Sequence, residues 1–129
     1  MVNETRKTKV VAVDRDGALL DHQARVPESN VAAIKRVQAQ GIGIILATGK
    51  TRESALHIIK DLKITLPGVF FGGHLISEAG GRILRERAMD LTLVDAVFAY
   101  GRRHALRVVV YDRIGIWTPA PGMIRKSRL

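Results

Sequence analysis

The chain has 129 residues, of which 47% are apolar and 26% charged, enough for one compact core and too apolar for wholesale disorder. It contains no Cys, which excludes disulfide scaffolds, thiol chemistry and Cys-ligated zinc. Lys and Arg number 21 against 12 Asp and Glu, a net charge of +9, which suits anionic ligands or a polyanionic neighbour.

The basic residues are scattered: Arg6, Lys7 and Lys9; Arg82, Arg85 and Arg87; Arg102, Arg103 and Arg107; Arg125, Lys126 and Arg128. Only 5% of residues are aromatic, and no RNA-recognition or zinc-finger pattern is present. Nucleic acid therefore stays open as a partner on charge alone and gains no support from a motif. His22, His57, His74 and His104 lie too far apart for a His-Glu-x-x-His site. The longest apolar stretches, Val10–Val13 and Ile42–Ala47, are too short to span a membrane. The polar start, Met1 to Glu4, leads into no apolar segment, so the chain is not expected to be secreted.

Lys9–Asp14 is a short β-branched run ending in Asp-Arg-Asp-Gly. It predicts a buried strand entering a turn. Residues 21–27 read as loop. Glu28 or Ser29 then opens a helix to about Gln40, with Val31, Ile34 and Val37 on its apolar face and Gly41 at its end. Ile42–Ala47 predicts a second strand. Thr51 can cap a second helix, whose apolar face holds Leu56, Ile58, Ile59 and Leu62. Val69–Phe71 predicts a third strand.

This β-α-β-α-β order implies an α/β fold with a parallel sheet and right-handed crossovers. Such sheets bind ligands beyond the carboxyl ends of their strands. Asp14 and Asp16, then Thr48 and Gly49, then Gly72 and Gly73 follow the three strands and so fall on one rim. Beyond Gly73 the pattern changes. His74–Ser77 and Arg82–Arg85 predict a hairpin, and Leu91–His104 a helix. Leu106–Tyr111 and Ile114–Trp117 predict a second hairpin about Asp112 and Arg113. Pro119, Pro121 and Gly122 break regular structure ahead of a basic tail.

Two carboxylates at i and i+2 after a strand can converge on one point. They can bind Mg²⁺ through oxygen. One can attack a phosphoryl group while the other handles protons. Gly17 permits a sharp turn that brings backbone N–H groups to an anion. Thr48 and Gly49 offer a hydroxyl and an N–H at the neighbouring strand end, and Lys50 adds positive charge at a helix start. Asp14, Asp16, Gly17, Thr48, Gly49 and Lys50 are thus the parts of a phosphoryl-transfer site. Each motif alone has a plainer reading. Asp-x-Asp-Gly is a common turn, and its Gly comes too early for a calcium-binding loop. Thr48-Gly49-Lys50 can be a simple helix entry, and Ile44 stands where a Walker loop needs Gly.

Val-Ala-Val-Asp14-Arg-Asp16-Gly17-Ala-Leu-Leu followed by Ile-Leu-Ala-Thr48-Gly49-Lys50 resembles the haloacid dehalogenase superfamily. Within it, the pattern is similar to the Cof-type branch of sugar-phosphate phosphatases, in the form found in plant and algal members. The resemblance covers residues 9 to about 118. It implies a Rossmann-like core in residues 1–87, the opening α-β-β of a cap in 88–118, and a basic tail in 119–129. It implies that Asp14 is the nucleophile forming an aspartyl-phosphate. Asp16 is then general acid and base, and both carry Mg²⁺, Asp16 through its backbone carbonyl. Thr48 and the Gly49 N–H bind the phosphate of a small phosphorylated substrate. Cytoplasm or plastid stroma is the implied compartment.

The chain departs from that pattern at Arg15, where the family is usually apolar, at Ala18, usually Thr, and at Gly72-Gly73-His74. The family's later Lys and Gly-Asp-x-x-x-Asp segments have no counterpart in residues 88–129. Asp90, Asp95 and Asp112 do not fit, and Lys126 lies in the tail. Without the returning strands, Lys9–Val13 is expected to be an apolar edge, which self-association or a partner chain would cover. Two functions follow as expectations. One is a Mg²⁺-dependent phosphatase, truncated and weakly active or inactive alone. The other is a non-catalytic, basic binding module in a larger assembly, RNA-containing or not.

Overall fold

The computed structural model describes residues 9–111 and 116–117. Its contacts separate two units, which meet in sequence at Arg87 and Ala88. In the first, strand β1 (Val10–Val13) is followed by helix α1 (Glu28–Ala39), strand β2 (Gly43–Leu46), helix α2 (Arg52–Asp61) and strand β3 (Gly68–Phe70). A 3-10 turn, Phe71–Gly73, leads into β4 (Leu75–Ser77) and β5 (Ile83–Glu86).

β1 and β2 run parallel, in register from Val10 against Gly43 to Val13 against Leu46. The Ala47–Val69 bridge is also parallel, so β3 continues the same direction beside β2. β3, β4 and β5 then form an antiparallel meander. The fold is α/β, as the alternating pattern implies. Among the described residues β1 has one neighbour, β2, and Val10 is 44% exposed.

The core lies between the strands and the two helices. Ile44 and Leu46 from β2, Ile34 from α1, Ala55, Ile58 and Ile59 from α2, and Phe70 from β3 are all buried. Helix α2 is amphipathic because Ala55, Ile58, Ile59 and Leu62 recur at helical spacing. Thr51 caps it as expected: its Oγ1 accepts the Ser54 N–H at 3.1 Å.

α1 begins at Glu28, one of the two starts the sequence allows, after Pro27 and with no side-chain cap; the fixed proline φ is itself suited to a helix entry. Other boundaries differ from the sequence reading. The third strand ends at Phe70, not Phe71. Phe71 takes a φ of +51°, which no strand accommodates, and its N–H turns to bond Lys50 O at 3.1 Å. The predicted strand at Arg82–Arg85 is Ile83–Glu86.

The second unit contains α3 (Leu91–Arg103), β6 (Val110–Tyr111) and β7 (Ile116–Trp117), the last two antiparallel. Leu106–Val109 is not strand, so the predicted hairpin is much shorter. The turn at Asp112–Arg113 and the basic tail at 119–129 lie outside the described residues. Asp90 caps α3, its Oδ1 accepting the Thr92 N–H at 2.8 Å. The hydroxyl of Thr92, then its N–H, hold the Asp90 carboxyl below its ordinary range. A depressed carboxyl adds stability above its unfolded pKa and loses it as pH falls through the folded one. Asp90→Ala is therefore expected to fray the first turn of α3 at neutral pH. Wild type should show the same loss of protection only on acidification, as amide hydrogen exchange at Thr92 to Val94 would read. Equal exchange in the two proteins at pH 7 would remove the cap's role.

Candidate active site

The parallel register puts the carboxyl ends of β1, β2 and β3 on one rim. An open cleft of about 330 Å³ lies there, lined by Asp14, Ala47, Thr48, Gly49, Val69, Gly72 and Gly73. The structure thus brings together Asp14, Thr48 and Gly49 of the predicted site residues. Asp16, Gly17 and Lys50 are close in sequence but do not line this cleft.

Asp14 is exposed where β1 ends. Its Oδ1 accepts the Arg15 N–H at 2.7 Å, which orients the carboxylate and leaves its other oxygen for chemistry. The chain then turns back on itself: Leu20 N–H bonds Arg15 O at 2.9 Å, and Asp16 bridges Leu20. Gly17, at φ +78°, makes this turn, in a backbone region that disfavours side chains. Asn30 of α1 braces the loop, its Nδ2 donating to Leu19 O at 3.0 Å. Leu19 and Leu20 are buried beneath it. Behind them Asp21 Oδ1 accepts N–H bonds from Gln23 and Arg25 at 2.8 and 2.9 Å. The Arg25 bond first, and the Gln23 bond after it, hold that carboxyl below its ordinary range.

Thr48 is only 6% exposed. Its N–H bonds Val69 O at 2.9 Å, and its O accepts Gly72 N–H at 3.2 Å. Its Oγ1 accepts the Lys50 N–H at 3.1 Å, so the hydroxyl keeps its proton to donate to an acceptor such as a phosphate oxygen. Ala47 N–H bonds Val13 O at 2.9 Å, so the ends of β1, β2 and β3 are fastened together by backbone bonds at Ala47 and Thr48. Lys50 is exposed and belongs to neither ion pair found among the described residues. Its ammonium remains available to an anion.

Arg15 pairs with Asp16, its NH1 lying 3.7 Å from Asp16 Oδ1. His74 pairs with the β5 end: its Nδ1 lies 3.0 Å from Arg87 O, and its carbonyl accepts the Arg87 N–H at 2.8 Å. It is a hairpin fastener. Ala47 and Val69 line the cleft without having been singled out in sequence, since nothing marks an apolar residue at a strand end as a site wall. Arg52 acts in the scaffold. It opens α2 and reaches Ala79 O at 2.7 Å, tying the helix start to the β4–β5 turn.

Among the described residues no group of three or more His, Asp or Glu could hold a metal ion. Two oxygen donors remain on the rim, the Asp14 carboxylate and the Asp16 backbone carbonyl. Mg²⁺ takes oxygen donors and is commonly held by one or two carboxylates, with waters and substrate phosphate filling its other positions. The donor set fits that ion. No helix among the described residues is long and apolar enough to cross a membrane.

A family model described as haloacid dehalogenase-like hydrolase matches residues 11–127. The chain is 26% identical over 116 residues to the protein named Endoribonuclease YBEY, chloroplastic, of Arabidopsis thaliana, covering 83% of this chain and 20% of that one. It is 25% identical over 114 residues to Phosphatase YwpJ of Bacillus subtilis, covering 88% and 40%. The chain therefore spans well under two thirds of the relatives it matches. Among solved structures, BT1666 from Bacteroides thetaiotaomicron superposes with a TM-score of 0.79 at 24% identity, over 92% of this chain and 44% of that one. A haloacid dehalogenase-like hydrolase from B. subtilis gives 0.77 at 24% identity, over 89% and 40%. These two likenesses establish the fold.

Proposed function

The chain belongs to the haloacid dehalogenase-like hydrolase family, and on that premise we propose that its rim is the phosphoryl-transfer site of a Mg²⁺-dependent phosphatase acting on small phosphorylated metabolites. The observation that carries the reading is the single cleft shared by Asp14, Thr48 and Gly49. Asp14 is the nucleophile: an oxygen of its carboxylate bonds the phosphorus as the ester oxygen leaves, giving an aspartyl-phosphate. Asp16 gives the leaving oxygen its proton, then takes one from the water that attacks the phosphorus. Inorganic phosphate departs and Asp14 is restored. The Thr48 hydroxyl and Gly49 N–H hold the phosphoryl oxygens, and Lys50 adds positive charge. Asp14 and Asp16 would hold Mg²⁺, which supplies neutralisation of the charge that builds on the phosphoryl group.

The phosphatase YwpJ supports the phosphatase reading. One carboxylate and one carbonyl leave most metal positions to water, substrate or another polypeptide. The half-exposed Val10 edge of β1 is where a partner chain or a second copy would add a strand. The chloroplastic relative favours the plastid stroma over the cytoplasm.

The test is phosphate release from a panel of sugar phosphates and a generic aryl phosphate, with Mg²⁺ and with a chelator. Turnover that needs Mg²⁺ is expected. A folded chain with equal background release in both conditions would sink the reading for this chain. The net charge of +9 and the match within a protein named as an endoribonuclease favour one second reading, a basic module in an RNA-containing assembly. It requires RNA binding that weakens steeply with salt.

A further inference from the structure

We infer that α3 carries a docking face for a second copy of this chain, on which two α3 helices pack antiparallel about a twofold axis at Val97. The inference stands apart from the phosphoryl-transfer reading and does not depend on it.

α3 uses one apolar stripe inside its own unit and leaves another uncovered. The first holds Val94 and Phe98, both half-buried, and Gly101, which is buried. A Cβ on Gly101 would lie 2.4 Å from Val108 Cγ2, so the helix is pressed against Val108 there. The second stripe holds Leu93, Val97 and Tyr100, at 52%, 41% and 58% exposure. His104 continues it, its ring centroid 4.2 Å from that of Tyr100. Steps of four, three and four residues are the spacing of a seam along which two helices meet. Apolar side chains scattered singly on a surface need no partner, but a continuous stripe marks an interaction site.

Charge selects the occupant. Asp90 caps the helix and Asp95 lies in its first half, whereas Arg102 and Arg103 occupy the last turn. Neither arginine belongs to an ion pair found among the described residues. Two α3 helices side by side in parallel would bring their arginine ends together, and like charges repel. Antiparallel packing sets each copy's Arg103 beside the other's Asp90. The same rotation sets Leu93 against the other copy's Tyr100, and Val97 against Val97. The face is therefore complementary to itself, as a twofold interface requires. A stripe running along about 20 Å of helix makes a small interface, so the dimer should be no tighter than about micromolar.

The full chain would be followed by sedimentation equilibrium over a concentration series. A monomer–dimer equilibrium is expected in wild type. Val97→Glu places two like charges on the axis and should raise Kd by roughly tenfold or more with an unchanged circular dichroism spectrum. Val97→Ser stands in if the Glu variant loses that spectrum. Arg103→Glu, which sets an acidic group beside Asp90, should raise Kd several-fold. The chain has no Cys, so a single introduced cysteine reports its own contact under mild oxidation. Val97→Cys should form a disulfide-linked dimer. Leu93→Cys chains mixed with Tyr100→Cys chains should link to each other in preference to themselves. A wild type that stays monomeric at millimolar concentration would overturn the inference and assign the stripe to a different occupant. A dimer that Val97→Glu leaves intact would overturn it in favour of another surface, such as the β1 edge. Leu93→Cys linking to itself as readily as to Tyr100→Cys would overturn the antiparallel arrangement.

Discussion

Asp14→Asn is expected to abolish Mg²⁺-dependent phosphate release, by on the order of 10³-fold or more, while leaving the fold intact. The size follows from the role: removing a covalent nucleophile removes the path through the intermediate, not one stabilising contact. The fold is spared because Asp14 is exposed at the end of β1, and its one structural bond is acceptance of the Arg15 N–H. An Asn oxygen can accept the same bond. The measurement is turnover with Mg²⁺, with circular dichroism and thermal melting on both proteins. A variant that keeps more than about a tenth of wild-type turnover would show that another group attacks the phosphorus. A variant that unfolds would instead reveal that the strand end depends on the negative charge.

Phe70→Ala is expected to destabilise the first unit by about 3–5 kcal/mol. Phe70 is the largest side chain in the core that is nearly inaccessible, at 1% exposure. Its ring folds back over its own strand. A Cβ on Gly68 would lie 2.5 Å from the Phe70 Cζ and 3.3 Å from Leu46 O, so Gly68 is required by that close approach. Truncation leaves a hole in the buried cluster that also holds Leu46 and Ile58, which short strands cannot collapse to fill. Domains of this size hold roughly 5–15 kcal/mol in all, so the loss is a large share. The rim should suffer with it, because β3 supplies Val69 O to the Thr48 N–H. Urea unfolding gives the difference directly. Leu84→Ala, at a side chain 45% exposed, is the control and should move stability by no more than about 0.5 kcal/mol. Equal effects at the two positions would show that the buried cluster is not what holds this unit.

Much of the fold was legible because its signals are local. Val10–Val13 and Gly43–Leu46 are short apolar runs bounded by turn residues, and they are strands. Of the helical period read at Leu56, Ile58, Ile59 and Leu62, the last three lie on the buried face of α2, with Ala55 rather than the half-buried Leu56 completing it. Thr51 announced its cap. What misled was the end of β3 and the stretch Leu106–Val109. Phe71 is apolar and aromatic, yet a bond to Lys50 O across the sheet pulls it out of the strand. Leu106 to Tyr111 is β-branched enough to read as a strand throughout, but only Val110 and Tyr111 have a partner, β7, and a strand exists only where another strand meets it.

By itself the sequence determined the element order and the parallel direction of the opening sheet, and it pointed to candidate residues at the strand ends. Each of these follows from patterns within a few residues and from the handedness of crossovers. Only the tertiary structure decided which of those residues share a cleft. It gathers Asp14, Thr48, Gly49, Gly72 and Gly73 and turns His74 to Arg87. It also places the Arg15 guanidinium, with its unsatisfied Nε, beside Asp16. The physical reason is that a side chain's reach and its partners depend on backbone bonds between segments distant in sequence, here those that fasten Thr48 to Val69 and Gly72, and no local pattern encodes them.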